Sequence, residues 1–277
     1  MNRPTFLRRS TALLLTLVLM VCAALPGFAA YQMPIQTASD TESVYLFNLD
    51  TGKPILRQNS DQQRYIASLT KMMTALLFLE SGKDMNAEIT IPTSLTQEFK
   101  DIQNANGSTM NLRIGETVRR IDLLYGLLVA SANDAASVIA SDVSGGDLTA
   151  FVAQMNEKAQ QLGMNDTVFK NCNGLDEEGH VTSAYDVALM SRELIRHEKV
   201  FDYTLTWMDS VRGGETQLVN TNKLIRSYQG ITGLKTGTTG QAGSCITATA
   251  ERSGLSLIAV VLGADSTDHR FQDAAAL

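Results

Sequence analysis

The order of hydrophobic periods along the 277 residues restricts the fold more than any other feature: strand patterns stand at both ends and helical patterns fill the middle. Val44-Tyr45-Leu46-Phe47 is a strand-like run, Asn48 to Lys53 has turn chemistry, and Pro54-Ile55-Leu56 begins a second short strand, so a hairpin is expected. At the far end Ser244 to Ala250 alternates in polarity, Glu251-Arg252-Ser253-Gly254 makes a turn, and Leu255 to Leu262 reads as a buried strand. Between them, Leu69, Met72, Met73, Leu76 and Leu77 recur at helical spacing and predict a helix with one buried stripe beginning near Ser68. Leu123, Leu124, Leu127 and Leu128 form a second apolar face, and Leu148 to Leu162 a third helix with Asp147 as N-cap and Gly163 as stop. Ser183 and Asp186 resemble a capping box before Val187, Met190 and Leu194. The pattern predicts an α+β fold, three-layer-like: an antiparallel sheet built from both termini, flanked by helices, with a helical subdomain beside it.

The first residues stand apart from this plan. Arg3, Arg8 and Arg9 precede an uncharged run from Thr11 to Leu25, and small residues follow up to Ala30. A basic start, an apolar stretch too short to span a bilayer comfortably and a small-residue cleavage site predict a secretory signal over 1–29, leaving 30–277 as the mature domain. Cleavage removes three arginines and no acid, which takes the net charge from −6 to −9. A chain with 23 Lys and Arg against 29 Asp and Glu lacks the basic footprint of a nucleic-acid binder. Cys172 and Cys245 remain after export, where oxidation is permitted, and their pairing is left open. His180, His197 and His269 lie far apart and read as surface residues, so no metal is expected.

Three short motifs carry chemistry. In Ser68-Leu69-Thr70-Lys71 the i and i+3 side chains share a helix face, so Lys71 can reach the Ser68 hydroxyl. For Lys71 to accept a proton at neutral pH, burial or a neighbouring cation must lower its pKa. By itself the match is what a helix cap with a surface lysine also gives. Ser131-Ala132-Asn133 is a polar break between two apolar helices, with Asp134 as a candidate cap for the second, and equally reads as a plain helix–helix turn. Lys235-Thr236-Gly237 lies on a glycine-rich strand, where alternation puts Lys235 and Gly237 on one face and Thr236 on the other. Each motif is weak alone. Each occurs once, and their order and structural settings agree.

In that order the motifs resemble those of the penicillin-recognising serine enzymes, and specifically the low-molecular-weight D-alanyl-D-alanine carboxypeptidases. Asp50 to Lys53, Ala67 to Thr74, Leu123 to Ala136, Phe169 to Leu175, Asn220 to Leu224 and Gly233 to Gly237 all look like that family, and the likeness runs from about Ser43 to Arg270. The resemblance implies a β-lactamase/DD-peptidase-like fold and an acyl-enzyme mechanism. Ser68 would be the nucleophile, Lys71 its base and Ser131 a proton relay. Asn133 would hold Lys71 and the substrate amide, and Lys235 would face the substrate carboxylate and lower the pKa of Lys71 or Ser131. Ser68 and Thr238 would supply the oxyanion hole from their backbone N–H groups, and Thr236 and Arg270 would bind the terminal carboxylate beside Gly237. It implies peptidoglycan pentapeptide as substrate, β-lactams as covalent inhibitors, no cofactor, and a periplasmic or extracellular cell-wall location. The β-rich domain and membrane-anchoring helix common in relatives are not expected within these residues. The competing readings are a serine β-lactamase, which would need a water-activating Glu with Asn four residues on, a pattern that Glu157, Glu177 and Glu178 lack, and a non-catalytic muropeptide- or drug-binding module.

Overall fold

Both expected strand pairs form and meet in one sheet. The computed structural model describes Thr37 and residues 42–277, and the expected secretion signal lies outside those residues. Strand β1 (Ser43–Asn48) turns through Gly52, at φ 67°, into β2 (Lys53–Gln58). The ladder shifts register between Leu46 and Phe47, and Pro54, which has no N–H to give, lies in edge strand β2. The first of three small ladders pairs β3 (Arg64–Tyr65) with β6 (Val181–Thr182); the others pair β4 (Glu88–Thr90) with β5 (Thr117–Arg119), and β7 (Met208–Val211) with β8 (Thr216–Val219). The long strands β9 (Ile231–Thr239), β10 (Gly243–Arg252) and β11 (Leu255–Ala264) complete the main sheet, in the antiparallel order β2-β1-β11-β10-β9.

Both faces of this sheet are covered. Ile258, Val260 and Leu262 of β11 join the main core, whereas Val261 and Ala264 face the other way and pack with Ile246, Ala248, Phe271 and Ala274. Burial on both faces is why β11 reads as a continuous apolar run. The expected three layers are therefore present, with the C-terminal helix as the thin outer one.

Helix α1 (Lys71–Glu80) follows a 3-10 turn at Ala67–Thr70. It exceeds the single stripe expected of it: every residue from Lys71 to Leu76 is buried, because the helix runs through the centre of the main core. The helical region adds α2 (Thr96–Asn104), α3 (Arg120–Leu128), α4 (Asn133–Ser144) and α5 (Leu148–Leu162). Then come α6 (Ala184–Leu194), α7 (Val200–Thr204), α8 (Leu224–Ser227) and the C-terminal α9 (Thr267–Ala276). Asp147 caps α5 through Ala150 N, and Gly163 ends it at φ 76°.

Three local expectations are corrected and one open question, the state of the cysteines, is closed. Asp134 does not cap α4, where Ala132 holds the cap position; its carboxylate instead accepts Met110 N (3.0 Å) and Leu112 N (2.9 Å) and anchors the preceding loop. Only half of the capping box forms. Ser183 Oγ accepts from Asp186 N, while Asp186 Oδ2 is taken by Asp166 N and Thr167 Oγ1. Cys172 and Cys245 are free, buried thiols, the first beside Ser137 and the second donating to Ala242 O. His180 is buried, not on the surface, and lies behind the Ser68 turn. No helix among the described residues is long and apolar enough to cross a membrane.

Candidate active site

The Ser68 turn is squeezed between two glycines. A Cβ on Gly237 of β9 would come within 2.7 Å of Ser68 N, and one on Gly174 would overlap the carbonyl of Ala67. Glycine is thus required at both positions by close backbone approach. Ala67 itself takes φ 51°, a left-handed value that this clamp holds in place. Ser68 is half-buried at the mouth of a cavity of about 300 Å³, whose walls include Asn106, Asn133, Leu175, Asp176 and Thr238.

Lys71 lies one turn further in and is fully buried. Its Nζ contacts Ser68 Oγ (2.9 Å), Asn133 Oδ1 (2.7 Å) and the backbone carbonyl of Asn173 (2.6 Å). Burial lowers its pKa from 10.5 to about 7, with Cys172 and then Asp134 pulling the other way. The three contacts then fix the chemistry. A neutral amine has two N–H bonds and one lone pair, and the carbonyl oxygens of Asn133 and Asn173 can only accept. Both N–H bonds go to them, and the lone pair is left to face the Ser68 hydroxyl.

Of strand β9, Thr238 and Thr239 line the cavity, and Lys235 to Gly237 do not. Lys235 is buried, donates to Thr236 O (2.9 Å) and has a pKa lowered well below its ordinary value by burial and then by the charges of Lys71 and Arg270. The influence expected of Lys235 on Lys71 runs the other way: the Lys71 charge lowers the pKa of Lys235, and the fall at Lys71 comes from burial. Thr236 faces away and donates to Thr221 Oγ1 (2.6 Å), whose backbone N bonds Val129 O beside the α3–α4 break. Arg270 of α9 is buried, and its Nη1 donates to Gly237 O (2.9 Å) and Thr238 Oγ1 (2.8 Å). It grips the strand, and neither it nor Thr236 lines the cavity. Ser131 is buried in the α3–α4 break at φ 60° and is not among the partners of Lys71.

Three contributors escaped the motif reading. Asn173 supplies a main-chain oxygen, which has no side-chain signature. Asp176 is a carboxylate on the cavity wall, held by Gln241 N (3.2 Å). His180 accepts Lys170 N at Nδ1 (3.1 Å), so its proton is on Nε2 and is donated to Thr70 Oγ1 (2.8 Å) inside the Ser-x-x-Lys turn. Burial drives its pKa down to about 4. The run Phe169 to Leu175 that resembles the family was the available signal for the first of these.

A serine hydroxyl paired with a buried lysine, set against the edge strand of an antiparallel sheet, is the constellation that serine enzymes using a lysine base require. The family model for the D-alanyl-D-alanine carboxypeptidases, Peptidase S11, matches residues 30–266, and the chain belongs to that family. It is 38% identical over 238 residues to D-alanyl-D-alanine carboxypeptidase DacF of Bacillus subtilis, a match covering 85% of this chain. The chain spans 60% of that relative's length and 65% of the length of DacD of Escherichia coli. The Streptomyces K15 DD-transpeptidase shares the fold with a TM-score of 0.77 and 28% identity, over 84% of this chain and 94% of that one. Penicillin-binding protein D2 of Listeria monocytogenes, solved in its ampicillin-bound form, gives a TM-score of 0.71 and 31% identity, over 85% and 94%.

Proposed function

We propose that the chain is an exported serine-type D-Ala-D-Ala carboxypeptidase that removes the terminal D-alanine from peptidoglycan stem pentapeptides. The observation that carries this reading is the arrangement around Lys71, whose two obligate acceptors leave its lone pair for Ser68. Ser68 Oγ attacks the carbonyl between the two D-alanines while its proton passes to Lys71 Nζ. The oxyanion is received by the backbone N–H groups of Ser68 and Thr238 at the cavity mouth. Ser131 delivers a proton to the departing D-alanine nitrogen, and water then releases the shortened peptide from Ser68. Lys235 supplies the charge that draws the substrate carboxylate, and that carboxylate in turn favours its protonated form. Arg270 serves this step by fixing Gly237 and Thr238, and Thr236 by binding the loop at Thr221.

An intact-mass time course of residues 30–277 with benzylpenicillin tests the reading. The expected result is an adduct of one drug molecule that persists for minutes and is absent in Ser68→Ala, together with loss of one alanine from a pentapeptide. Rapid hydrolysis of the drug would make the protein a β-lactamase. Intact drug with no adduct and no alanine release would leave a binding module.

A further inference from the structure

A second cavity, of about 930 Å³, adjoins the catalytic one and is larger than it. Asn106 and Gly107 form a wall common to both. That wall rests on a residue of the site: a Cβ on Gly107 would come within 2.5 Å of Asn133 Nδ2, and Asn133 N donates to Ser108 O (2.7 Å). The next residue, Asp134, lines the second cavity. Consecutive residues at the start of α4 therefore serve two adjoining cavities. The β7–β8 hairpin supplies another wall and is tied across by Arg212, which donates to Thr216 Oγ1 (2.9 Å) and pairs with Glu116. Arg212 adopts φ 57°, and Gly213 and Gly214 continue at positive φ, so the turn presenting it is held in an uncommon backbone conformation.

The lining says what would bind. Arg212 is neutralised by Glu116 and Glu215, and the Asp134 carboxylate is occupied by backbone N–H groups. Arg113 adds one positive charge. The remaining contacts are neutral: the amides of Gln103, Asn106, Asn111 and Gln217, the hydroxyl of Thr109, and the ring of Phe99. Amides and hydroxyls around one aromatic ring suit a ligand rich in hydroxyl and acetamido groups, and the volume falls within the roughly 300–1,000 Å³ range of ligand pockets.

We propose that this groove binds the N-acetylated saccharide strand that carries the stem peptide. The inference rests on the peptidase reading of the Ser68 site. A few extended stem residues reach about 10 Å, so a peptide acylating Ser68 could cross the Asn106–Gly107 wall with its sugar entering the larger cavity.

The test compares a free pentapeptide with the same peptide on its N-acetylated disaccharide, for the wild type and for Gln103→Ala/Gln217→Ala. Both positions are exposed and lie outside the Ser68 machinery. The wild type should prefer the glycosylated substrate by about tenfold in kcat/KM, expressed in KM, as two or three net hydrogen bonds would give. The double variant should lose that preference, yet keep its rate on free peptide and its acylation by benzylpenicillin. Equal constants for both substrates in the wild type, or an undiminished preference in the variant, overturn the proposal. A wild type that cleaves neither substrate defeats the peptidase reading instead. The groove is then judged by calorimetric titration with tetra-N-acetylchitotetraose: binding lost in the double variant supports it, and no binding to the wild type overturns it.

Discussion

Two buried pairs of like charge resolve the same conflict in opposite ways. In the cleft, Lys71 and Lys235 are both fully buried, and both give up proton affinity. At the entrance to β1, Glu42 is fully buried beside Asp273 of α9, and burial followed by the Asp273 charge raises its pKa to about 7. Two carboxylates cannot hydrogen bond each other without a proton, and the raised pKa supplies one. The lysine pair lets go of a proton more readily than free lysines do; the carboxyl pair keeps one, which clasps the entrance of β1 to α9. Raising the pH through 7 therefore frees the lone pair of Lys71 and loosens the carboxyl pair.

The largest expected effect comes from denying the cleft its solution. Lys71→Arg keeps the charge but cannot deprotonate, so the rate of acylation by benzylpenicillin should fall by about 10³. A rate within tenfold of wild type would mean that another group is the base. In the wild type the same rate should drop about tenfold per pH unit below about 7 and level off above it. Glu42→Gln should leave that profile unmoved.

Stability gives the smaller effects. His180 has an ordinary pKa of 6.5 and a folded value of about 4, set first by burial. The unfolded chain therefore takes up the proton first, and stability present above pH 6.5 should be lost as pH falls through about 4, by up to about 3 kcal/mol. His180→Gln should flatten urea-denaturation midpoints across that window. It isolates burial from like-charge repulsion, since desolvation is its leading cause. Glu42 runs the other way. Its raised pKa gives stability present below 4.5 and lost as pH rises through about 7, on the order of 1–2 kcal/mol. Glu42→Gln, with a permanent N–H for Asp273, should remove this loss. A wild type equally stable at pH 5 and pH 8 would mean that no shared proton holds the clasp.

Legibility in the sequence followed the length scale of each interaction. The hairpin at Gly52, the closing strands and the caps at Asp147 and Gly163 depend on neighbours in the chain, and periodicity located them. The reach of Lys71 to Ser68 was readable from helical spacing, and its contact with Asn133 only from the resemblance that the motifs carry together. The third ligand of Lys71 is a backbone carbonyl more than a hundred residues away, and any residue type could have supplied it. Asp134 looked like a cap because acids start helices, and tertiary donors at Met110 and Leu112 claimed it instead. The short ladders of two to four residues carry too few alternations to register a period.

The pairing of β1 with β11 also has a consequence for the order of events at the ribosome. Ser43 meets Leu262, and every residue of the helical middle is made between them. Until β11 emerges, β1 has only β2 beside it, a two-stranded hairpin that is marginal alone in water. Strand β9, which carries Lys235 to Gly237, is equally without its partner β10 until the residues after the helical middle are made. Sheet formation must therefore close loops that span nearly the whole domain, a high-contact-order route that is slow compared with local helix formation. The sheet cannot close until β11 has been made.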